Sequence, residues 1–271
     1  MATIPGGAFN DFVFGTSAAD FIMAGGGDDT IVSSGGDDIV NGEAGNDFLV
    51  GGGGADFLTG GTGNDLALGG SGDDRLFGDE GNDNLLGGSG DDELAGGDGA
   101  DSLLGHAGAD LMAGGGGADR IVGGAGDDQA FGGAGDDEVS GGTGDDLLSG
   151  EDGDDQIDGG AGDDYILGGD GSDVLAGGAG DDVLVGGADS DMFVFSGGAD
   201  VVMDFDDGDM LQIASSIPGV EISEAADVMD YAFDLGGIGT MIDFGQGDSV
   251  FLNGASFEDL ADDPDKYLSV I

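Results

Sequence analysis

The sequence predicts an all-β fold, a two-sheet solenoid of about 21 nonapeptide repeats closed by a C-terminal β-rich cap with short helices. Three observations carry that expectation. An aspartate recurs every nine residues without insertion or deletion, an apolar side chain follows each by two positions, and a glycine precedes most by two.

With the aspartate at position six, the frame runs from Gly6 to Val194. It holds Asp29, Asp38, Asp47, Asp56, Asp65, Asp74, Asp83, Asp92, Asp101, Asp110, Asp119, Asp128, Asp137, Asp146, Asp155, Asp164, Asp173, Asp182 and Asp191, with Asp11 and Asp20 upstream. Position eight reads Val13, Ile22, Ile31, Val40, Leu49, Leu58, Ala67, Leu76, Leu85, Leu94, Leu103, Met112, Ile121, Ala130, Val139, Leu148, Ile157, Ile166, Leu175, Leu184 and Phe193. Position four is glycine in 18 consecutive repeats, from Gly27 to Gly180. Glycine tolerates positive φ and aspartate favours turns, so the first six positions read as a turn and the last three as a very short strand. Neighbouring strand residues point to opposite faces, which sends position eight inward and positions seven and nine outward. One repeat cannot bury its single inward side chain. Two repeats make a coil, and stacked coils make two parallel sheets around a thin core.

The charge demands an explanation. The 271 residues hold 59 acids against 3 Lys plus Arg, a net charge of −56, with 66 glycines and no cysteine. Such chains are ordinarily disordered, unless the apolar residues are regularly placed and something neutralises the acids. Nucleic acid is excluded as a partner for want of a basic patch, as is docking on anionic lipid. No apolar run is long enough for a transmembrane segment. Met1 to Asn10 lacks the basic and apolar regions of a cleavable signal, and the repeats begin so early that no catalytic domain is expected ahead of them.

Segments such as Gly123-Gly124-Ala125-Gly126-Asp127-Asp128-Gln129-Ala130 and Gly141-Gly142-Thr143-Gly144-Asp145-Asp146-Leu147-Leu148 resemble the repeats-in-toxin, or RTX, family. The resemblance implies a right-handed parallel β-roll over residues 1–194. It also implies Ca²⁺ between successive turns, held by the position-six carboxylates from Asp29 to Asp191 and by turn carbonyls such as those of Gly123, Gly124, Gly126, Gly141, Gly142 and Gly144. Eighteen well-formed turns, nine per side, enclose about 16 ions, whose charge offsets more than half of the −56. Phe9, Ala18 and Asp189 depart from the glycine pattern and weaken the sites beside them. The acids at position five, among them Asp28, Asp37, Asp73, Asp91 and Asp127, read as solvated surface charges.

Beyond Val194 the frame drifts through Asp200 and Asp209. Residues 195–271 resemble the cap and type I secretion signal that follow RTX repeats. Phe195 to Ile213 reads as a closing strand pair and Ser223 to Phe233 as a short helix capped by Ser223. Gly239 to Phe244 and Asp248 to Leu252 alternate as strands around Gly245-Gln246-Gly247, and Ser256 to Ala261 forms one helical turn. Asp262 to Ile271, acidic and then apolar, resembles the export signal.

The expected function is that of a secreted, extracellular calcium-binding protein, possessing no catalytic activity, that folds on meeting external Ca²⁺ and takes a structural, adhesive or signalling role at or near the cell surface. The type I secretion apparatus is the implied partner. The alternative is an accessory module of a type I-secreted enzyme or surface adhesin. His106 is the sole histidine, so no nucleophile and base can be paired. The outward ladder Phe14, Val32, Val50, Leu68, Leu86, Leu104, Val122 is a candidate contact for self-association. Ice binding is disfavoured because Thr62 with Asn64 is essentially the only full Thr/Asn pair.

Overall fold

The computed structural model describes residues 2–215, 217, 222–236 and 238–271. The chain divides into two units, Met1–Val139 and Ser140–Ile271, each a parallel two-sheet solenoid.

The first unit opens with β1 (Ala2–Gly7), β2 (Phe12–Phe14) and β3 (Asp20–Gly26). From β4 (Thr30–Gly35) to β15 (Gln129–Ala134) a six-residue strand begins every nine residues, and β16 (Glu138–Thr143) spans the boundary between units. Odd strands up to β15 stack in one sheet and even strands up to β14 in the other. Register never slips: Leu49 sits beside Ile31 and Ala67, and Leu58 beside Val40 and Leu76. A slip by one residue would turn every inward side chain out to solvent.

The second unit continues with β17 (Leu147–Asp152) to β21 (Val183–Ala188) at the same spacing, then β22 (Met192–Phe195), β23 (Ala199–Val202) and β24 (Met210–Ile213). A short helix α1 (Ala225–Val228), a 3₁₀ turn (Met229–Tyr231), β25 (Ala232–Asp234), the antiparallel hairpin β26 (Gly239–Gly245) with β27 (Asp248–Asn253), α2 (Phe257–Asp262), α3 (Pro264–Tyr267) and β28 (Leu268–Val270) follow. One sheet runs β17-β19-β21-β23-β27-β26-β25 and the other β18-β20-β22-β24-β28.

Every position-eight residue from Val13 to Phe193 is buried, as the alternation requires. Three expectations are corrected. Strands are six residues long, not three, because backbone pairing between coils resumes at positions two and three and leaves only positions four to six as turn. The frame does not drift after Val194: Asp200 and Asp209 hold position six, and Val202 and Leu211 are buried at position eight. Consequently β23 and β24 are not paired with each other but lie in opposite sheets, as strands of one further coil do.

The hairpin stands at the expected residues, and Ser256 caps α2 by accepting the Asp259 N–H at 3.4 Å. The helix near Ser223 is shorter than expected and its N-cap is Glu224, because the Ser223 hydroxyl instead donates to Asp227 Oδ2 at 2.8 Å. These elements plug the open end of the core, with Phe195 stacked on Phe244 at 5.5 Å. The tail is a strand: Ile271 N–H donates to the Ile213 carbonyl at 3.0 Å, and β28 pairs with β24.

Candidate metal centres in the turns

The turns form two rows along each unit, one leading from the odd-strand sheet to the even and one leading back. Along each row, the position-six aspartates from Asp29 to Asp137 and from Asp164 to Asp191 use one oxygen in the same way. In each, Oδ1 accepts the N–H of the position-six residue one coil earlier, as when Asp47 N–H donates to Asp65 at 2.7 Å and Asp56 N–H to Asp74 at 2.8 Å. The other oxygen is left over. Oδ2 of Asp29, Asp38, Asp47, Asp56, Asp65, Asp74, Asp83, Asp92, Asp101, Asp110 and Asp119, and of Asp164, Asp173 and Asp182, is buried with no hydrogen-bond partner. Burying a carboxylate oxygen unpaired is expensive, so a row of them points to a missing positive charge.

From Asp47 onward each such oxygen faces a cradle shaped by glycine, whereas Asp29 and Asp38 have Ala24 and Ser33 at that position. A Cβ on Gly69 would run into Asp74 Oδ2 and lie 2.7 Å from the Gly87 carbonyl. Gly51 stands in the same relation to Asp56 Oδ2 and the Gly69 carbonyl, 2.8 Å away, and Gly105 to Asp110 Oδ2 and the Gly123 carbonyl, 2.7 Å away. Position one therefore needs glycine for close approach. The structure thus brings together a position-six carboxylate and the position-one carbonyl of the next coil. Gly141 bears the same relation to Asp146 Oδ2 and the Gly159 carbonyl. The carbonyls of Gly142 and Gly144 face Gly160 and Gly162, while Gly124 and Gly126 stand over the carbonyls of His106 and Gly108.

Among the described residues no three His, Cys, Asp or Glu side chains converge, so a metal shell here must be completed by backbone oxygens. An all-oxygen, partly carbonyl donor set beside an orphaned carboxylate suits Ca²⁺, which takes six to eight oxygens, and offers nothing to a metal that prefers nitrogen or sulfur.

The electrostatics agree. Burial pushes the carboxyls of Asp56, Asp83, Asp92 and Asp173 up to about 6 and those of Asp65, Asp74 and Asp164 up to about 7. The donated backbone N–H lowers each in part, and acids in adjoining turns raise it again. A bound divalent cation would reverse the direction.

The first two turns differ. Asp11 Oδ2 accepts Gly7 N–H at 2.6 Å, and Asp20 Oδ2 accepts Thr16 N–H at 2.7 Å and its hydroxyl at 2.9 Å. Those carboxylates are already engaged, in keeping with the loss of glycine at Phe9 and Ala18. Asp191 is buried and pushed up to about 7, and Asp189 beside it adopts φ 76°.

Position five holds a structural role that its exposed, charged appearance concealed. Asp28 Oδ1 accepts Asn46 N–H at 3.0 Å, Asn46 accepts Asn64 N–H at 2.7 Å, and Asp91 accepts Ala109 N–H at 2.9 Å. These residues are more than solvated charges: they form a second ladder beside that of position six, running the opposite way. The mixture of Asp and Asn at this position was the available signal, since only the shared Oδ1 is used.

The outward position-nine ladder is in register from Phe14 to Val122 on the even-strand sheet. Val32 to Val122 are half-buried by their neighbours, whereas Phe14 is exposed, its ring 4.9 Å from that of Phe12.

A family model described as the RTX calcium-binding nonapeptide repeat (4 copies) matches residues 5–40, 32–67, 59–94, 68–103, 86–121, 95–130, 113–148, 131–166 and 167–202. The matches run without a gap over well over half of the chain. No curated protein matches. Among solved structures, the extracellular lipase LipA from Serratia marcescens is similar at 21% identity, over 80% of this chain and 40% of that one, with a TM-score of 0.29. The chain thus spans less than half the length of that lipase.

Proposed function

The chain belongs to the RTX calcium-binding nonapeptide repeat family, and we propose that it is a secreted protein that stays unfolded at low cytoplasmic Ca²⁺ and folds on binding Ca²⁺ outside the cell. The buried, partnerless Oδ2 of position-six aspartates such as Asp56, Asp74 and Asp164 carries this reading. Without a cation, the rows set like charges in successive coils with nothing to balance them. With about 16 ions in the gaps, binding free energy becomes folding free energy. Self-repulsion of a chain with net charge −56 would keep it extended for passage through a type I secretion apparatus.

We assign it a structural or adhesive role and no catalysis. His106 is exposed in β12 (Ser102–Ala107) with φ 79°. The apolar stripe from Phe14 to Val122 is the face available for contact with a surface or another molecule. Among the described residues no helix is long and apolar enough to cross a membrane.

Circular dichroism during a calcium titration tests the folding step. A coil-like spectrum in excess chelator should convert to a β spectrum at millimolar Ca²⁺, with many ions bound per chain. A full β spectrum in chelator would overturn the reading.

A further inference from the structure

The repeat signature weakens after Val194, yet the geometry that makes a metal cradle does not stop there. We propose a terminal Ca²⁺ site in the gap between Asp182 and Asp200, its last turn held in place by Asp248 of the C-terminal hairpin. This rests on the reading of the repeat turns as calcium sites and goes beyond them, because the hairpin is not part of any repeat.

Asp182 is fully buried and its Oδ2 has no partner. Its Oδ1 is occupied, accepting Asp164 N–H at 2.9 Å, so its second oxygen is left over, as those of its counterparts are in the body of the roll. The coil that carries Asp200 keeps both ladders of a repeat turn, although Phe195 stands at position one and Ser196, at position two, is not left-handed. Asp182 N–H donates to Asp200 Oδ1 at 3.1 Å, continuing the position-six ladder, and Ala199 N–H donates to Asp181 Oδ1 at 3.0 Å, continuing the position-five ladder. Gly198, with φ 92°, stands over the Gly180 carbonyl as Gly180 stands over that of Gly162. Asp200 is itself buried. The gap therefore lies between two buried carboxylates, Asp182 with its partnerless oxygen and Asp200, with turn carbonyls such as that of Gly180 beside it.

What lies beyond the turn is new. In the body another repeat turn would follow. Here β27 takes the next place in the sheet, and Asp248 at its start accepts Gly198 N–H at 3.2 Å, while Ser249 N–H donates to the Gly198 carbonyl at 2.8 Å. Asp248 thus positions the turn that presents Asp200, and occupancy of the gap would tie the hairpin to the roll. The other row ends differently. Asp209 Oδ2 accepts Asp206 N–H at 2.8 Å, and Asp204 uses both oxygens on the N–H groups of Gly186 and Gly187, at 2.9 and 3.0 Å. Those carboxylates are engaged by backbone, so the rows end asymmetrically.

Native mass spectrometry of the full chain in graded Ca²⁺, with amide exchange of residues 248–253, tests this. Asp200→Asn should bind one ion fewer than the parent chain, and the calcium-dependent slowing of exchange in the hairpin should vanish while the body stays protected. Asp209→Asn should leave the ion count unchanged. Asp248→Ala should weaken the last ion several-fold, and Asp248→Asn, which keeps an acceptor for Gly198 N–H, should recover most of that loss. An Asp200→Asn chain with the parental ion count and hairpin protection overturns the terminal site while leaving the repeat sites standing. If that variant does not fold, unchanged binding of the last ion by Asp248→Ala overturns it instead. A parent chain that binds no Ca²⁺ would instead defeat the reading of the repeats.

Discussion

The first two turns and those of the body share an aspartate in the same frame but not its chemistry. In the body Oδ2 of the aspartates from Asp29 to Asp119 and from Asp164 to Asp182 is buried and partnerless. In the first turns it is taken by the N–H four residues back, from Gly7 for Asp11 and from Thr16 for Asp20. The difference tracks position two. From Gly25 to Gly187 the residue there is left-handed, whether glycine, as in Gly52 (φ 107°), or not, as in Ser34 (φ 87°) and Glu43 (φ 73°), whereas Gly7, Thr16 and, at the far end, Ser196 are not among the positive-φ residues. A left-handed residue swings its amide away from the carboxylate. An aspartate in frame is therefore not yet a ligand. The backbone beside it must decline to satisfy it.

The largest test of that contrast is pH. Burial raises the carboxyls of body aspartates such as Asp56 and Asp74 to about 6 and about 7, so with no cation bound their contribution to stability is present below the unfolded value near 4 and lost as pH rises through 6 to 7. Calcium needs the ionised form and competes with that proton. The half-saturating Ca²⁺ should climb as pH falls from 8 to 5, by about tenfold per unit for each proton displaced. A calorimetric titration at several pH values that finds a flat profile would show that the carboxylates are not the ligands.

Next comes a pair of deletions. In saturating Ca²⁺, Asp74→Ala should destabilise the roll by about 1–3 kcal/mol and lose bound ion, whereas Asp11→Ala should change stability by no more than about 0.5 kcal/mol. Equal losses on thermal melting would erase the distinction between the two kinds of turn.

Filling the cradle gives an effect of similar or smaller size. Gly69→Ala pushes a methyl group against the Gly87 carbonyl and Asp74 Oδ2 and should cost about 1–3 kcal/mol with weakened calcium binding. Gly116→Ala, where a Cβ meets nothing within 4 Å, serves as the control. The smallest change is a gain. His106 is held at φ 79°, a conformation that costs a non-glycine residue about 1 kcal/mol. His106→Gly should raise the melting temperature slightly without altering the number of ions bound.

Much of this was legible in the sequence because it is periodic. The inward series from Val13 to Phe193 and the aspartates from Asp29 to Asp191 follow from counting. The extent of the strands was not legible. Gly52 and Gly53 look like turn residues by composition, but they pair with Gly70 and Ser71 of an adjacent coil, and that neighbour is eighteen residues away. The ladder role of Asp28 and Asp91 was hidden for the same reason, since an exposed carboxylate looks alike whether or not it accepts a distant N–H. Asp200 and Asp209 escaped because Phe195 and Asp204 replace the position-one glycine, which obscured a frame the backbone maintains. The strand Leu268–Val270 is too short to announce itself and is defined by its pairing with β24.

Every rung of the position-six ladder joins residues 18 apart, as between Asp29 and Asp47 or Asp65 and Asp83. A constant, short separation makes the chain-closure entropy of each added coil the same, so no coil waits on a distant partner. Growth of the roll is then a zipper with uniform teeth: it can start wherever two coils first meet, and an injury at one tooth is felt chiefly by the two beside it.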